Sequence, residues 1–122
     1  MNLLYLLAAL ITSECAECDE DEKMHIGSVV INRMHSGLFP ECVEDVVYQP
    51  GQFDGVATNL FYPAPENIGI AAKLLMHGSI IDKKILFFYS RKKSREWKWI
   101  QRLQTVIECK HHNFCIYGNS NK

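Results

Sequence analysis

The sequence has no apolar run long enough to span a bilayer, no internal repeat, no low-complexity tract and no glycine-rich phosphate loop. Its longest apolar run, at residues 3–11, contains nine residues, whereas a transmembrane helix needs about 20. The pattern of a nucleophilic catalytic triad is also missing. These absences argue against a membrane-spanning protein, a P-loop protein and a triad hydrolase.

Net charge is almost absent as well. Thirteen basic and 14 acidic residues give a formal charge of −1, so net charge predicts no partner. A length of 122 residues, with 48% hydrophobic and 22% charged residues, is typical of one globular domain, which we place at residues 1–122. The charges are nevertheless uneven, because residues 14–22 carry six acids and residues 83–102 carry eight bases and one acid.

The five cysteines are an odd number, which rules out a complete disulfide framework and fits synthesis in a reducing compartment. The apolar run has the length of an export-signal core, but no Lys or Arg precedes it and no small-x-small cleavage site follows it. We therefore expect synthesis in the cytoplasm without a signal peptide, and no stable membrane insertion.

Hydrophobic spacing and turn residues predict helices followed by a small antiparallel sheet. Leu3, Leu7, Leu10 and Glu14 share one face of a first helix, since they are spaced by four, three and four. Caps, periodicity and β-rich runs predict the remaining elements. These are helices at 19–34, 41–48 and 65–77 and strands at 85–89, 105–109 and 113–117. The expected fold class is α+β.

Glu14 is the first candidate for chemistry, because it continues a row of leucines. A carboxyl group on such a face loses solvation and holds its proton more readily at neutral pH, which suits a general acid. The alternative is that Glu14 lies where the row meets solvent and is simply exposed.

Cys15 and Cys18 raise a second possibility, because two thiolates three residues apart can hold one metal ion. Cys109, His112 and Cys115 would then supply the remaining ligands. The acidic neighbours disfavour thiolates, however, and the second half of the chain has no spacing that completes a recognised zinc pattern. We therefore expect buried thiols, no metal and no cofactor.

The basic and aromatic segment at residues 91–99 has three interpretations. It could contact phosphates while Trp97 or Trp99 stacks on bases. It could instead pack a tryptophan against sugar rings of an anionic glycan-peptide polymer. The third interpretation is a solvated loop that one tryptophan anchors to the core.

Several short motifs together resemble the SleB-type cell-wall hydrolases, the spore cortex-lytic family. The stretch at 11–33 runs from ITSE to SVVINR, so a glutamate at a helix end is followed about eighteen residues later by Asn32-Arg33. VVYQPGQF at 46–53 matches that family's Val-Tyr-x-x-Gly-Gln-Phe block. The later motif elements of the family are matched, in the same order, by FFY at 87–89, WKWI at 97–100 and HNFC at 112–115.

This resemblance implies a lysozyme-like catalytic domain, mainly helical with a small antiparallel sheet, that cleaves the glycan strands of peptidoglycan. It implies a lytic transglycosylase with Glu14 as the acid, while Asn32 and His112 hold the scaffold together. The residues expected to contact substrate are Gln52, Phe53, Asp54, Tyr89, Trp97 and Trp99. Peptidoglycan is the expected partner and nucleic acid is not.

The chain departs from the family pattern directly after the glutamate. Cys15-Ala16-Glu17-Cys18 stands where Ala-Arg-Gly-Glu is usual, and Asp54 replaces a common Ser or Thr. A hydrolase would need a second carboxylate, for which Glu17 and Asp54 are the candidates, whereas a transglycosylase needs none. The alternatives are a non-catalytic binder of glycan or nucleic acid and a small zinc domain. A phage endolysin or virion-associated lysin is the expected context.

Overall fold

The computed structural model describes residues 3–38, 62–92 and 98–118. Within these ranges the chain forms three α-helices, a short 3-10 helix and one three-stranded sheet. The helices are α1 (Leu3–Cys15), α2 (Glu20–His35) and α3 (Pro65–His77), and the 3-10 helix is Lys98–Arg102. The strands are β1 (Phe87–Ser90), β2 (Leu103–Glu108) and β3 (His112–Tyr117). The helix predicted at 41–48 lies outside the described residues.

Helix α1 is the centre of the helical layer and packs against both α2 and α3. Its six consecutive residues at 6–11 are all buried, so this segment is apolar on every side. The prediction of a helix with one buried face was therefore wrong in this respect. Leu3, which the predicted stripe includes, is 44% exposed. A helix that is covered all round is typical of a core element, and it fixes the position of its C-terminal end.

Helix α2 begins and ends where its sequence signals predict. Asp19 is its N-cap, and the Asp19 side chain accepts a hydrogen bond of 2.8 Å from the backbone N–H of Glu22. Three acids in the first turn and Arg33 and His35 in the last turn complement the helix dipole. After the helix, Gly37 adopts a positive φ of 81°, a conformation that glycine adopts without strain.

The sheet has the order β1-β3-β2, with both pairs antiparallel. The hairpin of β2 and β3 confirms the predicted strand pair, and it contains an irregularity between Thr105 and Ile107. Strand β1 pairs with the other edge of β3 and aligns Phe88 with Phe114. Phe114 is fully buried in the core, so the central strand joins the sheet to the helices.

Side chains at the end of α2 tie the helices to the segment that enters β1. The Asn32 side-chain amide donates to the carbonyls of Asp82 and Ile85 at 2.9 and 3.0 Å. The Arg33 Nε donates to the carbonyl of Leu86 at 2.7 Å, and burial lowers the Arg33 pKa to about 10. Both residues thus serve the scaffold, the role expected for Asn32. Across the described ranges, no helix is both long and apolar enough to cross a membrane.

Candidate active site

Glu14 lies in the last turn of α1 and is half-buried. The residue after it, Cys15, is 2% exposed. Glu14 is therefore neither enclosed in the core nor fully exposed, which is the placement that a proton donor to an external substrate requires. Since α1 is buried just before this turn, the position of the Glu14 backbone is set by the core.

Thr12 fixes the last turn of α1 against the start of α3. Its hydroxyl oxygen accepts hydrogen bonds from the Asn67 side-chain amide at 2.8 Å and from the backbone N–H of Ala64 at 3.0 Å. The same hydroxyl donates to the carbonyl of Ala8 at 2.8 Å. Asn67 is buried, so these bonds lie in a partly dry interface two residues from Glu14.

The first turn of α2 and the start of β3 meet beside this helix end. Glu22 and His112 are both buried, and the Glu22 Oε2 lies 2.9 Å from the His112 Nδ1. The same carboxylate oxygen accepts a hydrogen bond of 3.0 Å from the backbone N–H of His111. The His112 pKa is lowered, because burial has a larger effect than the hydrogen bonds to Glu22 and to the Glu14 backbone, which raise it. His112 thus connects the sheet to the helix end that carries Glu14.

Glu22 was missed as a site residue in the sequence-based prediction. Its spacing from Asp19 is that of a capping box, in which a glutamate at this position bonds back to the N-cap residue. Instead, the Glu22 side chain bonds to residues about ninety positions later in the chain. The capping-box spacing was a signal that this glutamate matters, but its partner in the sheet could not be read from local sequence.

Cys15 and Cys18 form a disulfide that joins the end of α1 to the residue before the N-cap of α2. The expectation of two buried thiols was therefore wrong for this pair. Their three-residue spacing at a helix end brings the two Cα atoms to 5.1 Å, a distance that a disulfide can bridge. Cys109 and Cys115 are free thiols, and Cys42 lies outside the described residues.

Only some of the residues predicted to contact substrate lie within the described ranges. Gln52, Phe53, Asp54 and Trp97 lie outside the described residues. Trp99 lies in the 3-10 helix, although its side chain is outside the described part.

Tyr89 is on β1, where its hydroxyl accepts a hydrogen bond of 3.0 Å from the Asn113 side chain. Its register partner is Asn113, whereas His112 and Phe114 alternate with Asn113 along β3. Because side chains alternate between the faces of a sheet, Tyr89 is on the face opposite His112.

Two solved structures share this fold over nearly the whole chain. The catalytic domain of the germination-specific lytic transglycosylase SleB from Bacillus anthracis has a TM-score of 0.84 and 20% sequence identity, and the match covers 94% of each chain. The catalytic domain of the Bacillus cereus SleB protein has a TM-score of 0.80 and 20% identity, covering 93% of this chain and 88% of that chain. The protein is thus an α+β domain with the fold of the SleB catalytic domain, which confirms the predicted fold class.

Comparison at the sequence level leads to the family. A family model described as Cell Wall Hydrolase matches residues 18–115. Spore cortex-lytic enzymes from Bacillus subtilis and Oceanobacillus iheyensis are 26% and 24% identical over 115 residues, which is 93% of this chain. The match covers 37% and 41% of those proteins, so this chain spans about two-fifths of their length. The chain belongs to the cell wall hydrolase family, as its motifs predict.

Proposed function

We propose that this chain cleaves the glycan strands of peptidoglycan as a lytic transglycosylase, with Glu14 as its acid and base. Family membership supports the substrate class, and the protein of known structure with the same fold from Bacillus anthracis is a lytic transglycosylase. The observation that carries the proposal is the position of Glu14, half-buried at the end of a helix whose residues 6–11 are all buried. The family match begins four residues after Glu14, so this assignment depends on spacing to Asn32-Arg33 and on geometry.

The proposed reaction uses one carboxyl group twice. Protonated Glu14 donates its proton to the glycosidic oxygen, and the bond from that oxygen to C1 of the muramic sugar breaks. The 6-hydroxyl of the same sugar then attacks the oxocarbenium-like C1, and the Glu14 carboxylate takes the hydroxyl proton. Glu14 regains its starting state and no water is consumed. The products are a free 4-hydroxyl end and a 1,6-anhydromuramyl end.

This reaction depends on holding the carboxyl group at a fixed place relative to the sugar. Three connections restrain the end of α1 in the described structure. They are the Thr12 bonds to α3, the Cys15–Cys18 disulfide, and His112 against the Glu14 backbone. A rigid support of this kind lowers the entropic cost of positioned acid catalysis.

The substrate contacts remain predictions from the sequence. Gln52 and Tyr89 are proposed to bond to polar sugar groups, while Phe53 and either Trp97 or Trp99 form apolar walls. The place of Tyr89 on the sheet face opposite His112 requires that the sugar strand also reach that face. Asp54 is proposed to contact the substrate as an additional carboxylate.

A hydrolase is the second candidate, because the sequence offers two further carboxylates, one shortly after Glu14 and one directly after the Gly-Gln-Phe block. Glu17 is exposed in the turn after α1, and Asp54 follows the Gly-Gln-Phe block. A hydrolase would place one of them about 5 to 9.5 Å from Glu14. A third candidate is a non-catalytic glycan binder that retains the family scaffold.

Mass spectrometry of muropeptides distinguishes these candidates in one experiment. Purified peptidoglycan is incubated with the oxidised 122-residue chain, and the masses of the released fragments are measured. We expect new ends that carry 1,6-anhydro sugars. Fragments heavier by one water would instead identify a hydrolase, and unchanged glycans would identify a binder. Either of these results contradicts the transglycosylase proposal.

We further propose that the chain acts as a phage endolysin or virion-associated lysin. Membership of the cell wall hydrolase family supports the substrate that such a lysin must cut. Expression in bacterial cytoplasm together with a membrane pore-forming protein tests this context. Lysis that requires both proteins supports an endolysin, whereas export and lysis without a pore would contradict it.

A further inference from the structure

Four side chains of types that commonly ligate metal ions meet at the end of α1 that carries Glu14. Cys15, Cys18, Glu22 and His112, hereafter the Cys-His-Glu cluster, each place one donor atom within 4.8 Å of all the others. All four residues are buried. They come from the end of α1, the following turn, the first turn of α2 and the start of β3. Three of the four lie within residues 15–22, and the tertiary fold brings His112 of the sheet to them.

The distances in the cluster are close to those of a tetrahedral zinc site. Zn–S bonds of about 2.3 Å and Zn–N bonds of about 2.0–2.1 Å separate a sulfur from a nitrogen by about 3.5 Å and two sulfurs by about 3.8 Å. Each cysteine Sγ lies 3.9 Å from the His112 Nδ1. The Glu22 Oε2 lies 2.9 Å from the same nitrogen, against about 3.4 Å across a zinc ion. The main change needed is cleavage of the disulfide between Cys15 and Cys18.

We propose that the Cys-His-Glu cluster binds one zinc ion when the Cys15–Cys18 disulfide is reduced. A phosphine reductant breaks the S–S bond and becomes a phosphine oxide by taking oxygen from water, which leaves two thiols. Zinc then replaces the two thiol protons, which are released to solvent. The Glu22 carboxylate and the Nδ1 of neutral His112 complete four ligands, and the ring hydrogen of His112 resides on Nε2.

The donor types favour zinc over other common ions. Two thiolates with an imidazole suit Zn²⁺, whereas Mg²⁺ and Ca²⁺ prefer sites made only of oxygen atoms. The exposed acids Asp19, Glu20 and Asp21 lie next to the cluster in sequence and add negative potential that attracts a cation. Four protein ligands fill a tetrahedron and leave no position open for substrate, so the site is structural.

The spatial arrangement answers the second of the two objections that the sequence pattern raised against zinc. That objection was the lack of a second ligand pair among Cys109, His112 and Cys115. Cys109 and Cys115 are not in the cluster, and the Cys115 Sγ lies 3.6 Å from the Thr105 hydroxyl. Glu22, which follows Cys18 by four residues, takes the fourth position. Disulfide and zinc are then two alternative cross-links that hold the end of α1.

The test counts zinc on the same protein in two redox states. The full chain is reduced with a phosphine, incubated with zinc chloride, separated from free ions by gel filtration and analysed by elemental mass spectrometry. Oxidised protein receives the same treatment. We expect one zinc ion per reduced chain and less than about a tenth of that on the oxidised chain. Reduced protein without bound zinc, or equal zinc in both states, overturns the proposal.

Variants and cobalt locate the ion. The double substitution Cys15→Ser and Cys18→Ser should lose the zinc, whereas Cys109→Ser should retain it, with folding of each checked by circular dichroism. Cobalt(II) on the reduced chain should show the intense visible bands of tetrahedral coordination and thiolate-to-cobalt charge transfer. Zinc retained by the double variant, or octahedral cobalt spectra, would place the ion elsewhere and refute this site. No substrate is present in these assays, so their outcome is independent of the proposed enzymatic activity.

Discussion

Thr12→Val tests how firmly the end of α1 is held. Valine keeps the shape of threonine but cannot accept the hydrogen bonds from the Asn67 amide at 2.8 Å and the Ala64 N–H at 3.0 Å. Asn67 is 1% exposed, so its orphaned amide donor costs about 1–3 kcal/mol, and the less buried Ala64 donor adds about 0.5–1.5 kcal/mol. The added apolar methyl group offsets part of this cost. We expect a net loss of about 2–3 kcal/mol in the free energy of unfolding.

Urea unfolding of the oxidised protein measures this difference, with Thr12→Ser as the matched control. Serine retains the hydroxyl, so we expect it to lose less than about 1 kcal/mol. A loss of 2–3 kcal/mol corresponds to a fall of about 6–15 °C in Tm for a chain of this size. Thr12→Val within about 0.5 kcal/mol of wild type would refute the reasoning, because that is the range of ordinary surface substitutions. An equal loss in Thr12→Ser would also refute it, since the hydroxyl would not be the cause.

Two further predictions concern the scaffold and the thiols. Asn32→Ala should destabilise the fold by about 2–4 kcal/mol, because it leaves two backbone carbonyls without their amide donor; urea unfolding within about 0.5 kcal/mol of wild type would contradict this. In the folded protein, iodoacetamide should modify partly exposed Cys109 and leave Cys115 unmodified, because Cys115 is fully buried, whereas burial raises the pKa of both thiols. Peptide mass spectrometry of native and denatured samples measures this, and native labelling of Cys115 at the Cys109 rate would contradict the described packing.

Local signals predicted most of the secondary structure. Asp19 and the acids after it mark the start of α2, and Pro65 and Gly78 frame α3, because caps and fixed backbone angles act within a single turn. The β2–β3 hairpin was also predictable, since its strands are close in sequence. The extent of burial around α1 was not, because an apolar stripe looks the same whether one or two other helices cover it.

The candidate site was also only partly predictable, because local sequence does not specify which distant elements meet. Glu14 could be identified from its place after the leucines and from the motif spacing. The contact between Glu22 and His112 joins residues 90 positions apart, and no local pattern specifies which buried carboxylate meets which histidine. The pairing of Cys15 with Cys18 depends on how a helix ends, which spacing alone does not decide. One long-range contact and the geometry of one helix end therefore account for the parts of the site that the sequence did not reveal.

The rate of peptidoglycan cleavage by Glu14→Gln tests the central claim most directly. Glutamine keeps the size and polarity of the side chain but cannot donate a proton as an acid. Glu108→Gln is the matched control, because Glu108 is exposed on β2. We expect Glu14→Gln to fold normally and to release anhydromuramyl fragments about 100 to 10,000 times more slowly, while Glu108→Gln retains the wild-type rate. A folded Glu14→Gln protein that cleaves at close to the wild-type rate would contradict the account.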